Sequence, residues 1–432
     1  MNLHGTMSIN EMGNLEIGNI DTVNLAKKYG TPLYVFDVKN IKNNINNFKV
    51  GFKHPKIETE IIYASKAFLT IGMCKLIEEQ GLSLDVVSGG ELYTAKKANF
   101  PPNKIYFHGN NKTIEELILA LNYGVNKIII DNEYEIELVN YLCTELDQNV
   151  EVLLRVNPGI EAHTHEYIQT ANNDSKFGIS IFNENICDII SSITDSYHMT
   201  LKGFHYHIGS QILDEVSFIK GIEVMMNFVK KIKLTCSYET KELNLGGGFG
   251  VYYSKEDSEL DLNSCLKNML SEVNKISKEN NITIPKLLIE PGRSIVANSG
   301  TTLYKVGATK DTFGGKSFIF VDGGMADNPR TALYDAIYEG AIANKMTNEN
   351  TNEYTIAGKC CESGDIVIKT ITLPKADKND ILAVASTGAY NYSMASNYNR
   401  LRKPAVVFVE NGKSKVVVKR ETYDDIIRND TL

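Results

Sequence analysis

Ile61-Ile62-Tyr63-Ala64-Ser65-Lys66-Ala67 sets a short apolar run against an abrupt small and polar end. A run of this kind suits a strand covered on both faces, as parallel sheets are. The construction recurs along the chain. Residues 60–65, 82–87, 104–107, 127–130, 150–156, 201–207, 242–245 and 286–289 all read as strands. Each but the last is followed by a helical stretch, as in the amphipathic segments 112–123, 133–146 and 215–234. Strand–helix alternation means parallel strands joined by crossover helices. Eight such units fit a closed (β/α)₈ barrel of about 250 residues, with an open doubly wound sheet as the alternative. The strand ends favour the barrel. Lys66, Ser88-Gly89-Gly90-Glu91, His108-Gly109-Asn110, Asn157-Pro158-Gly159, His207, Gly246-Gly247-Gly248 and Glu290-Pro291-Gly292-Arg293 all follow strands on the C-terminal side. That is the rim where barrel enzymes carry their chemistry.

Beyond residue 295 the rhythm changes. Residues 317–321, 354–357, 381–385 and 405–409 read as strands with few long helices between them. Asn411-Gly412 sits between 407–410 and 415–419, a strong hairpin signal. Tyr34-Val35-Phe36 is strand-like after the turn marked by Pro32. The expected architecture is therefore α/β: a TIM-like barrel over 37–294, and a mostly β domain (barrel or sandwich) from 1–36 and 295–432.

A chain of 432 residues is long enough for two domains. With 43% hydrophobic and 23% charged residues it falls among ordinary globular proteins. A net charge of −8 with scattered Lys and Arg argues against nucleic-acid and membrane-surface partners. The first ten residues lack the basic-then-apolar order of a signal, and no run approaches the ~18 apolar residues of a membrane span. Seven cysteines lack zinc spacings, and the adjacent Cys360 and Cys361 are poorly placed for an ordinary disulfide. Reduced thiols in a cytoplasmic enzyme is the expectation.

Lys66, leaving a strand at the rim, is a candidate Schiff-base former, although a lone lysine is more often a snorkelling surface residue. The glycines 246–250 let backbone N–H groups close on an anion, or simply make a tight turn. Glu290 could pair with a protonated pyridine nitrogen, or form a structural pair with Arg293. His205 and His207 share a face of their strand. No third ligand at a sensible spacing accompanies them, or the His163 and His165 pair, so no metal is expected. His207, nearer the rim, suits stacking on a planar cofactor.

Tyr63–Ala67, Asp85-Val86-Val87-Ser88-Gly89-Gly90-Glu91, His207-Ile208-Gly209-Ser210-Gln211, Gly246–Gly250 and Glu290–Arg293 occur in this order in one group of enzymes. In them the chain resembles the barrel-fold pyridoxal-phosphate (PLP) decarboxylases, which include diaminopimelate, ornithine and arginine decarboxylases. The likeness runs from about Gly30 to Tyr390. It implies that Lys66 carries PLP, that Gly247, Gly248 and their neighbours bind its phosphate, that His207 stacks on its ring and that Glu290 meets its pyridine nitrogen. Ser210, Gly292, Arg293 and Tyr390 complete the implied cofactor set, with Tyr390 also touching substrate.

Cys360-Cys361-Glu362-Ser363-Gly364-Asp365, Asn328-Pro329-Arg330-Thr331-Ala332-Leu333-Tyr334 and the stretch 161–178 resemble the diaminopimelate group. Ornithine-type enzymes carry Cys followed by Asp instead. A departure follows Thr170, where Ala171 and Asn172 stand in place of the usual Gly. The far end of diaminopimelate bears both an ammonium and a carboxylate, so its pocket needs a guanidinium and an acid. Arg293, Arg330, Tyr334 and Glu362 supply that set. Cys361 is the implied proton donor, since a thiol of pKa near ~8.5 is mostly protonated at neutral pH. The resemblance also implies a homodimer in which the Cys-Glu segment reaches the partner's active site. The expected activity is decarboxylation of meso-2,6-diaminopimelate to L-lysine, the last step of lysine biosynthesis. The alternatives are an ornithine, lysine or arginine decarboxylase, or a PLP-binding carrier or regulator without turnover.

Overall fold

The computed structural model describes residues 1–125, 127–160 and 175–432. His163, His165 and the Ala171-Asn172 departure lie outside the described residues. The chain divides into two compact units, one of residues 45–250 and 259–292, the other of 1–44, 251–258 and 293–432.

The first unit is built on eight parallel strands: β1 (Thr59–Ala64), β2 (Ser83–Val86), β3 (Ile105–Phe107), β4 (Lys127–Ile130), β5 (Val150–Asn157), β6 (Met199–His205), β7 (Glu242–Asn244) and β8 (Lys286–Ile289). Each pairs with the next, β8 returns to β1, and the sheet closes into the expected barrel. Ile62, Tyr106, Ile129, Leu153 and Leu288, one each from β1, β3, β4, β5 and β8, form a buried cluster. Burying each such side chain stabilises the fold by about 1.5–3 kcal/mol. Lys127 on β4 and Glu242 on β7 form a buried ion pair at 2.8 Å. Helices between the strands begin on side-chain caps. Ser88 caps Gly89–Lys97, and Thr113 with Glu116 forms a capping box on Ile114–Tyr123.

The cysteine expectation needs one correction. Cys187, in helix Ile186–Thr194, is joined to Cys236, which ends helix Glu215–Thr235. The other five cysteines are free. The pair is 49 residues apart, and only the packing of the two helices brings it together.

In the second unit the organising strand is β9 (Gly300–Asp311). Its first part pairs antiparallel with both Leu33–Asp37 and Ile381–Val384, and its last part with Ser317–Val321. The register shifts between Val306 and Ala308, so one strand serves two partners in succession. Leu33–Asp37 also pairs in parallel with Ala405–Glu410. The N-terminal segment thus belongs with the C-terminal strands, as its β-rich run implied. Leu15, Ile17, Leu25, Leu33, Val35, Leu303, Ala383 and Val407 close a common core. Ala405–Glu410 and Lys413–Val418 form the expected hairpin, with Asn411 and Gly412 both at positive φ as a type I′ turn requires. Among the described residues, no helix is long and apolar enough to cross a membrane.

Candidate active site

At the C-terminal rim of the barrel, β1 runs into a single turn, Ser65–Ala67. Ser65 and Ala67 are buried and Lys66 alone is exposed. Ser65 Oγ donates to Glu91 Oε2 at 2.9 Å, and the same oxygen accepts from the Val87 N–H at 2.7 Å. Glu91 thereby ties the lysine turn to the end of β2. On the other side, Ala64 N–H donates to the Pro291 carbonyl, and Gly292 packs against Ala64 and Ala67.

Glu290, just past β8, is buried and surrounded by donors. Asn244 Nδ2 donates to Oε1 at 2.7 Å, and Asn244 Oδ1 accepts from the Gly246 N–H, which fixes the amide's orientation. His108 Nε2 lies 2.9 Å from Oε1 and His205 Nε2 lies 3.2 Å from Oε2. Burial alone would raise the carboxyl's pKa, but the two imidazoles outweigh it and hold Glu290 well below the ordinary range. Burial conversely pushes His205 down to about 4, so it is neutral at physiological pH. A carboxylate offers about four acceptor positions. Asn244 takes one on Oε1 and His205 one on Oε2, with the His108 ring close to Oε1 in an ion-pair contact.

Asp85, at the end of β2, is buried with Oδ1 unpartnered among the described residues. Burial, opposed by His108 and reinforced by Glu290, raises it to about 7. His207 is half-buried. Its Nδ1 accepts from the Gly247 N–H at 3.3 Å, which leaves the proton on Nε2. Burial and the nearby Lys66 and Arg155 charges hold the ring well below its ordinary pKa, hence neutral. The loop bearing Ser210 pairs with the glycine run through Ile212 N–H and the Gly248 carbonyl, 2.9 Å apart. The glycines at 247 and 248 are compulsory. A Cβ on Gly247 would lie 2.1 Å from the Glu290 carbonyl oxygen, and one on Gly248 2.4 Å from that of Gly209.

The second unit carries its own cluster. Arg293 Nη1 donates to the Tyr253 hydroxyl at 2.8 Å, and Arg330 Nη1 to the same oxygen at 3.1 Å. Arg330 Nη1 also reaches the Tyr338 hydroxyl at 3.1 Å, and Tyr338 donates onward to Asn391 Oδ1 at 3.3 Å. All five side chains are buried. The Tyr390 ring lies 4.8 Å from the Arg293 guanidinium and the Tyr334 ring 6.0 Å from that of Arg330. Cys361 and Glu362 are elsewhere in this unit. They are exposed on a loop anchored by the buried Asp365, which accepts from the Cys360 and Met325 N–H groups. No ion pair joins Glu362 to either arginine among the described residues.

Residues 38–297 match the family model described as "Pyridoxal-dependent decarboxylase, pyridoxal binding domain". The chain belongs to this family. The diaminopimelate decarboxylase of Bacillus subtilis (strain 168) is 49% identical over 430 residues, covering 100% of this chain and 98% of the relative. The structure of diaminopimelate decarboxylase from M. jannaschii in complex with L-lysine is 34% identical with a TM-score of 0.90, over 99% of this chain and 98% of that one. Lysine/ornithine decarboxylase from Vibrio vulnificus, complexed with putrescine, shares the fold at 20% identity and a TM-score of 0.74, over 90% of this chain and 98% of that one.

The residues on the rim fit the family's cofactor. Glu290 is an anion with acceptor capacity left for a pyridine N–H, His207 is neutral, the glycine loop has no room for side chains, and Lys66 presents the amine. Asp85 and His108 stood in quoted motifs but were assigned no role, and Asn244 beside Glu290, with Tyr253 and Tyr338 around the arginines, was not singled out from sequence. His108 and Glu290 are the companions of His205 that spacing did not reveal, and the donor atoms of the three lie within 4.8 Å of one another. A polar residue ending a barrel strand was the available signal for His108 and Asn244. The two tyrosines carried none, in a chain with 22 of them.

Proposed function

We propose that the chain is a PLP-dependent carboxy-lyase that converts meso-2,6-diaminopimelate to L-lysine and CO₂, completing lysine biosynthesis. The observation that carries this reading is the buried pair Arg293 and Arg330, both hydrogen-bonded to the Tyr253 hydroxyl. Two guanidiniums so held suit a substrate whose far end bears a carboxylate. Ornithine or lysine ends in an ammonium, which that pair would repel. The names of the relatives point to the same substrate.

In this reading Lys66 would bind the cofactor, the loop at Gly247 and Gly248 with Ser210, Gly292 and Tyr390 would hold its phosphate, and His207 would stack on its ring. PLP supplies an electron sink for the pair released when the Cα–carboxylate bond breaks. Glu290, kept ionised by its imidazole neighbours, holds the proton on the pyridine nitrogen. Arg293, Arg330, Tyr334 and Tyr390 orient the substrate, with Glu362 on its distal ammonium. Cys361 then delivers a proton to Cα in place of the lost carboxylate. Its exposed loop supports a homodimer in which Cys361 and Glu362 serve the partner's site. A cytoplasmic setting fits this metabolic role.

The test is CO₂ release by purified protein with PLP, offered meso-diaminopimelate, L-lysine, L-ornithine and L-arginine in turn. Turnover of the first alone is expected. Turnover of a diamine-type amino acid, or of none, would sink the proposal.

A further inference from the structure

We propose that Tyr253 is a specificity-determining residue, whose hydroxyl spaces Arg293 and Arg330 for a carboxylate and donates its own proton to that carboxylate. The inference rests on the carboxylate-clamp reading above and adds to it a third contact.

A phenol oxygen accepts through its lone pairs and donates one proton. Tyr253 accepts from Arg293 at 2.8 Å and from Arg330 at 3.1 Å, and among the described residues its proton has no acceptor. Tyr338 makes the contrast. It too accepts from Arg330, but its proton goes to Asn391 Oδ1. Of two buried phenols on one guanidinium, one donates within the unit and the other has no acceptor for its proton among the described residues. A buried donor left unmade is costly, so a ligand oxygen is the natural acceptor.

The backbone of Tyr253 is fixed to present that group. Its own N–H and that of Ser254 both donate to Asp257 Oδ2, at 2.8 and 2.9 Å. The ring is buried and meets Tyr338 edge-on at 5.8 Å. A carboxylate side chain here would neutralise the arginines. A hydroxyl bridges the two guanidiniums without the full charge of a carboxylate. Burial opposes ionisation of Tyr253, but the two guanidiniums prevail and pull its hydroxyl below the ordinary phenol range, which makes it a stronger donor.

The test is Tyr253→Phe in the PLP-loaded enzyme. Loss of one hydrogen bond to a charged group should raise KM for meso-diaminopimelate by about 10- to 100-fold in Tyr253→Phe, with kcat within about threefold and cofactor absorbance unchanged. An unchanged KM in Tyr253→Phe, or a fall in kcat as large as the rise in KM, overturns the inference. Wild-type enzyme that fails on diaminopimelate overturns the clamp reading instead, so the two failures are distinct. Should Tyr253→Phe not fold, 3-fluorotyrosine at 253 keeps the ring and acidifies the phenol. The groups facing that hydroxyl are Arg293, Arg330 and Tyr338, the last of which burial raises. An alkaline rise in KM should therefore move to lower pH, and an unmoved profile counts against Tyr253.

Discussion

Cys361 has an exposed side chain on a firm base. Its N–H donates to Asn399 Oδ1 at 2.7 Å, and the buried Asp365 holds the N–H of Cys360 beside it. A general acid contributes about 10²- to 10⁴-fold, so Cys361→Ala should lose that much kcat while binding PLP normally, read by steady-state assay and cofactor absorbance. Full turnover in the variant removes the proposed donor. Asp327 tests electrostatics away from the proposed chemistry. It is buried, accepts from the Tyr304 hydroxyl and the Gly324 N–H, and is pushed from 3.8 to about 7 by burial against those hydrogen bonds. A carboxyl raised in the folded state keeps its proton there longer than in the unfolded chain. Its stabilising effect is complete below 3.8 and is lost as pH climbs to about 7. Asp327→Asn should therefore show a flatter urea midpoint between about pH 4 and 7 than the parent. An equal slope would place the titration elsewhere.

At the scale of elements, the Cys187–Cys236 link joins two barrel helices across 49 residues of chain. A closed loop of that length confers up to about 4 kcal/mol in the chain-entropy picture. Five thiols should react in the denatured, unreduced protein, and reductant should lower the thermal midpoint. Seven reactive thiols would mean the bond does not form. Sequence alone made the eight barrel strands legible, because each is an apolar run ended by a polar or glycine-rich rim. β9 was not legible, although it is the longest strand of its unit. Gly307 interrupts it, and its two halves answer to different partners, so no single alternation runs through. The disulfide and the Glu290 bracket were hidden for a related reason. His108, Asn244 and His205 come from the ends of three strands, and only closure of the barrel converges them on one carboxylate. Lys66, His207, Glu290 and the arginines were legible as motifs, whereas Tyr253 entered only through its hydrogen bonds.

At the scale of the whole molecule, the proposed dimer makes a prediction no single chain can. Lys66→Ala and Cys361→Ala should each be nearly inactive. If the two residues act from different subunits, an exchanged mixture should recover about one quarter of wild-type activity, since half the dimers are mixed and each holds one intact site. No recovery after demonstrated subunit exchange would mean that one chain supplies both. The pairing of Leu33–Asp37 with β9 has a further consequence for the chain as it is made. Phe36 faces Gly300, about 260 residues further on. A ribosome adding ~5–20 residues per second leaves the first segment waiting about 13–50 seconds for that neighbour. The barrel strands all emerge in that interval and can settle first, while an apolar ribbon stands open to chaperones at the nascent end.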